Sequence, residues 1–338
     1  MEMETLPIQL VAPAGQILGE SANWCARTQV LWWVDIRLMQ VKRWNSSTGA
    51  IDSWTMPELC GAVVPTTGSE VVVALRSGIH ALDPRTGALT LLVTVEADQP
   101  EHRLNEAKCD RQGRLWCGSM WDFGKHATGG LYRISLDSSI ATPRRSGNDR
   151  PSSGGPVILP GAALTVVKAR SAVTVPNGIA FSPDGRRMVF VDTPTGRIES
   201  AAYDTDTGTP GPWSTLVDAS VVPGKPDGGT VDADGCIWST RVGAGAIARF
   251  TPQGKLDRLI QLPVSQPTSC SFGGANLETL FITSATQRLT PEALTAEPLA
   301  GAVIALRPGV QGLPEPPFQC AALDAPQPLA DPRPPTTP

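Results

Sequence analysis

Little in this 338-residue chain points to thiol, serine-elbow or His-based zinc chemistry. Its three histidines, His80, His102 and His126, share no ligand spacing, and His102 reads as a solvated loop position beside Arg103. The seven cysteines are odd in number, scattered, and never form a CxxC pair. That excludes a disulfide framework and a cysteine zinc site, and leaves small buried hydrophobes in a reducing compartment. There is no GxSxG elbow, which argues against an α/β serine hydrolase. No apolar run approaches the roughly 18 residues that span a bilayer. Met1 to Pro13 carries acids where a secretory signal would place a basic and then an apolar stretch. The expectation is a cytoplasmic protein with no membrane partner. An excess of positive charge is also lacking: the formal net charge is −4, which gives no support to nucleic-acid binding. Gly243-Ala-Gly245 resembles a fragment of a dinucleotide loop, but another β-like run follows it and no helix, so it reads as a turn.

What the chain does have is punctuation. Its 33 Gly and 32 Pro separate many short β-prone runs, with no long amphipathic helical pattern between them. Such runs recur at 31–35, 71–75, 115–118, 188–192, 237–240 and 280–284. Most steps are roughly 40–50 residues, the scale of a four-stranded propeller blade. Turns repeat with them. Asp110-Arg-Gln-Gly113, Ser182-Pro-Asp-Gly185 and Asp232-Ala-Asp-Gly235 each precede a run, with Gly supplying positive φ. The expected fold is an all-β six-bladed β-propeller with a central metal site, one domain over residues 1–310. Residues 137–170, rich in Ser, Gly, Pro and Arg, read as a mobile insertion, and 311–338 as a Pro-rich disordered tail. Residues near Ile8–Pro13 are expected to pair with Ala302–Leu306, so that no sheet edge stays open.

Counting back eleven positions from one anchor in each run lands on Glu20, Cys60, Asn105, Asn177, Asp227 and Ser269. In a closed ring these lie at one height around one axis. Two carboxylates and two amides then meet in a narrow channel, where the carboxylates repel and lose hydration unless a proton or a cation joins them. Carboxylate and amide oxygens are hard ligands suited to calcium, magnesium or manganese, and zinc accepts oxygen too. Inner-strand Asp, Asn and Glu can equally well only cap loops or bind ordered water.

Several segments stand out: Gly19-Glu-Ser-Ala-Asn-Trp24 with Leu31-Trp-Trp-Val-Asp35, Arg103-Leu-Asn-Glu106 with Gly113-Arg-Leu-Trp-Cys-Gly-Ser-Met120, Pro176-Asn-Gly-Ile-Ala-Phe-Ser-Pro-Asp-Gly185, Pro226-Asp-Gly-Gly-Thr-Val-Asp232 and Thr268-Ser-Cys-Ser-Phe-Gly-Gly274. Together they resemble segments of the senescence marker protein/gluconolactonase/regucalcin family. They occur in the family's order from about residue 8 to about residue 310. The resemblance implies one divalent ion, with Glu20, Asn177 and Asp227 matching its ligands. It implies substrate contacts at Arg103 and Asn105, and hydrolysis of a sugar aldonolactone to the aldonic acid. Asp227 is expected to double as general base. Two departures stand out. Some members carry a substrate-binding Glu where this chain has Trp121-Asp122-Phe123, so Asp122 is expected to replace it, and Glu106-Ala107 replaces the usual Asp-Gly. The expected cofactor is calcium, zinc, magnesium, manganese or ferrous iron, and the expected partner a small sugar lactone, with the chain a monomer or weak homo-oligomer. The alternatives are a related hydrolase of other esters or phosphotriesters, and a non-catalytic metal-binding or interaction propeller.

Overall fold

The computed structural model describes residues 3–136 and 164–319. Six sheets surround a central channel, each a run of antiparallel strands stepping outward from its inner strand, with strands from the N-terminus added at the outer edges of two of them. Blade I shows the logic. Its inner strand Gly19–Cys25 and second strand Val30–Asp35 are buried throughout, while its outer strand Ile51–Thr55 alternates between exposed and half-buried. Inner strands lie between two neighbouring blades and have no solvent face, so apolar residues run on without alternation. The core is accordingly divided into six apolar clusters, one at each blade junction. Trp32, Val34, Val63 and Val73 join blades I and II, and Trp238, Ile247, Cys270 and Phe272 join V and VI. Each fully buried large apolar side chain contributes about 1.5–3 kcal/mol.

The circle closes as expected. Gln9–Ala12 forms the outer strand of blade VI, pairing Gln9 with Ala305 and Leu10 with Ile304. Glu4–Thr5 adds a parallel strand to the outer edge of blade V, where Glu4 pairs with Arg258. Gly113, Gly185 and Gly235 adopt φ of 79°, 72° and 79°, the left-handed conformation their turns require. The six described cysteines are buried and free. No helix among the described residues is long and apolar enough to cross a membrane.

Three expectations need correction. Residues 164–170 do not belong to a mobile insertion: they open the strand Leu164–Val173, which pairs along blade III from Leu136 to Gly129. Residues 137–163 lie outside the described residues. Residues 311–319 are not a loose tail. They cross the end of the channel far from the ring, bridging Gly312 to Asp232 and Phe318 to Thr66, with Phe318 fully buried. A short Pro-rich stretch carries no periodic signal, and only the channel end supplies partners that offset its ordering entropy. Residues 320–338 lie outside the described residues. His102, finally, is buried rather than solvated; its ring meets Glu96 at 2.8 Å and Thr128 at 2.9 Å.

Candidate functional site

The six ring positions share a local device. Every inner strand carries a β-bulge at this level, the pairing shifting after Glu20, Cys60, Leu104, Asn177, Pro226 and Pro267. A bulge breaks the alternation of the strand and re-aims the side chains beside it. Ser21 and Gly178, next after Glu20 and Asn177, both have φ of 58°. For a non-Gly residue such as Ser21 that conformation is costly and signals a functional constraint. At Gly178 a Cβ would also lie 2.6 Å from a Val191 methyl. In blades I and IV the preceding loop is tied down by an Asp at the end of the second strand. Asp35 accepts from the backbone N–H of Ile17 and Leu18, and Asp192 from Thr174 and Val175. The recurring Val-Asp pairs in the sequence thus hold the entrances to the Glu20 and Asn177 strands.

Glu20, Asn177 and Asp227 all line one cleft of about 390 Å³ at the channel mouth, together with Arg103, Asn105 and Asp122. The Glu20 carboxyl is pushed far above the usual carboxylate range, first by burial and then by the negative charges of Asp227 and Glu106. Burial raises Asp227 to about 7, against the pull of Arg103, the Gly228 N–H and the Asn177 side chain. Asp227 keeps part of its surface toward the cleft, yet its Oδ1 is enclosed and has no hydrogen-bond partner among the described residues. Asn177 is held from both ends. Its Oδ1 accepts from Asn105 Nδ2 at 2.9 Å, and its Nδ2 donates to Thr193 Oγ1 at 2.9 Å. One lone pair of the Asn177 oxygen stays available.

Asn105 and Asp122 are more committed than their expected roles imply. Asn105 Oδ1 accepts from Arg103 Nη1 at 2.6 Å, and its Nδ2 also donates to the Pro176 carbonyl. Asp122 accepts from Arg103 Nε at 2.5 Å and from Arg37 Nη1 at 2.8 Å. Although burial works against it, these two arginines hold the Asp122 carboxyl below its ordinary value. Arg37, Lys225 and Thr193, absent from the sequence-based set, also line the cleft. Lys225 had a legible signal, standing two residues before Asp227 on one strand. Arg37 had none, because its partner Asp122 is 85 residues away.

No group of three or more His, Cys, Asp or Glu among the described residues is arranged to hold a metal. The ring offers two carboxylates, with an amide oxygen as third donor. That set fits a hard divalent cation. An unpartnered, enclosed Asp227 oxygen facing a second buried carboxylate is what such an ion would satisfy.

Residues 18–286 match the family described as SMP-30/Gluconolactonase/LRE-like region. The chain belongs to that family. Among its relatives is a 6-deoxy-6-sulfogluconolactonase from Pseudomonas putida, 33% identical over 93% of this chain and 99% of the relative. An L-arabinolactonase from Azospirillum brasilense is 32% identical over 88% of this chain and 93% of its own. A solved structure described as a calcium-binding protein, regucalcin, from Agrobacterium tumefaciens superposes with a TM-score of 0.82. It is 26% identical and covers 95% of this chain and all of its own.

Proposed function

We propose that this protein is a sugar lactonase that opens an aldonolactone with water, assisted by one divalent cation held by Glu20, Asn177 and Asp227. The observation that carries the reading is the pair of carboxylates at the mouth of a cleft, Glu20 buried and Asp227 with one enclosed oxygen that has no partner among the described residues. The names of relatives that act on lactones support it. A cation bound there would supply Lewis acidity and a water acidic enough to ionise near neutral pH.

The chain's own groups divide the remaining work. Asp227, partly open to the cleft, accepts a proton from the attacking water and returns it to the ring oxygen as the C–O bond breaks. Arg103 is fixed through Nε by Asp122 and through Nη1 by Asn105 and the Leu104 carbonyl, which leaves Nη2 without a partner among the described residues. That N–H faces the charge developing on the carbonyl oxygen. Asn105 and Asp122 act on the substrate through the groups they hold: Asn105 orients Asn177 and Arg103, and Asp122 orients Arg103 and Arg37.

The test is metal-free protein titrated with magnesium, manganese, calcium, zinc and ferrous iron against a panel of aldonolactones. Glu20→Ala and Asp227→Ala should abolish metal-dependent turnover. Wild-type rates that persist after thorough chelation would remove the cation from the reaction. A second reading, cation binding without catalysis, is favoured by the description of the Agrobacterium tumefaciens neighbour. Tight binding with no turnover on any lactone would select it.

A further inference from the structure

The cleft carries more positive charge than lactone opening needs. Four cationic side chains line it, Arg37, Arg103, Lys225 and Arg288, against three acids, Glu20, Asp122 and Asp227. A divalent ion at Glu20 and Asp227 cancels those two acids. Asp122 alone then faces four cations, and it is already shared between Arg37 and Arg103. Lys225 and Arg288 have no acidic partner among the described residues; Lys225 donates only to the Pro194 carbonyl. Both are exposed, on blades V and VI, while Arg37 extends from blade I and is tied to Gln287, the neighbour of Arg288. Lys225 stands two residues from Asp227 along the strand, about 7 Å at the ordinary strand rise, and both line the cleft. That separation is comparable to the reach from the carbonyl of a six-carbon lactone to its far end.

We infer that the mouth of the cleft selects a lactone whose end remote from the carbonyl carries an oxyanion, a sulfonate, phosphate or carboxylate, received by Lys225 and Arg288 with Arg37 behind them. This rests on the lactonase reading and names the substrate class of the same site. A neutral sugar would leave both cations without an acceptor on the substrate. A terminal oxyanion offers three or two acceptor oxygens to donors arriving from different blades. It also draws substrate toward a positively charged cleft.

The experiment compares kcat/KM for glucono-lactone with that for its 6-sulfo, 6-phospho and 6-carboxylate counterparts, at low and high salt. The anionic substrates should be preferred by about tenfold or more at low salt, the gap narrowing as salt screens it. Lys225→Gln and Arg288→Gln should each lower the anionic-to-neutral ratio by about tenfold, and the arm with the largest ratio identifies the anion. Preference for the neutral lactone, or variants that leave the ratio unmoved, would overturn the inference and leave the lactonase reading standing. Absence of turnover on every lactone would instead overturn that reading. In that case calorimetry with the ring-opened acids, gluconate against 6-phosphogluconate, still reads the charge preference, and equal affinities would overturn it.

Discussion

The two ends of the central channel both bury carboxylates, and they treat them in opposite ways. At the far end Glu315, carried in by residues 311–319, meets Lys108 Nζ at 2.9 Å and Thr230 Oγ1 at 2.8 Å. Burial works to raise its carboxyl, but Lys108 and Arg111 hold it below its ordinary value. At the mouth, Glu20 and Asp227 are raised by burial, and Arg103, itself shared with Asp122, does not bring them back down. Glu106 lies between, pushed up to about 8 by burial against the pull of Lys108, with one oxygen unpartnered among the described residues. Buried charge at the far end is paired within the protein, whereas at the mouth the described residues leave it unpaired. The far end is thereby a structural pin, and the mouth is where the proposed site lies.

The sharpest way to break this contrast is to neutralise each end in turn. Glu20→Gln should lower metal-dependent lactone turnover by about 10³-fold or more. The same change should raise the stability of the chelated protein at pH 8 by about 1–4 kcal/mol, because it removes one of two repelling acids. Urea titrations with and without metal check the second half. At the far end, Lys108→Met should cost about 3–5 kcal/mol, since it strands Glu315 and Glu106 as uncompensated buried acids. Adding Glu315→Gln to it should recover part of the loss, measured by the same titrations. If Lys108→Met proved as harmless as Glu20→Gln, the two ends would not differ as described.

A milder perturbation is pH. Asp227 and Glu106 hold their protons to about 7 and about 8 when folded, well above their ordinary values of 3.8 and 4.5. Between these limits the folded metal-free protein binds more protons than the unfolded chain, so its stability falls as pH rises from about 4 to 8. Divalent metal should flatten that fall, and its affinity should climb with pH through the same window, because protons compete for the ligands. Thermal melts across pH, with and without metal, give both readings. The smallest effect concerns neither end. Deleting residues 1–12 removes the outer strand of blade VI and uncovers Val303–Leu306, which should lower Tm by about 5 °C and promote self-association. Light scattering alongside the melt would show it.

The repeat was legible because propeller blades are built from local hairpins. Asp110-to-Gly113 and Asp232-to-Gly235 announce their turns within four residues, and the eleven-residue count works because each inner strand and turn has nearly constant length. That regularity brought out six positions from separate blades, and the family resemblance singled out Glu20, Asn177 and Asp227 among them. The bulges that aim them were not legible, since a strand pairing shift depends on the partner strand. Neither was the role of Asp122, whose oxygens are taken by Arg37 and Arg103 from two other stretches of chain. Glu315 and Phe318 were hidden for the same reason: nothing near them in the chain shows what they cover.

By itself the sequence determined a six-fold repeat and its closure by the N-terminal strand, and it led to the expectation of a ring of polar side chains at one height. These follow from turn chemistry and strand length, which act between near neighbours. Only the tertiary structure decided which buried charges find partners. Coulomb attraction and desolvation depend on distances between blades, and those exist only once the ring has closed.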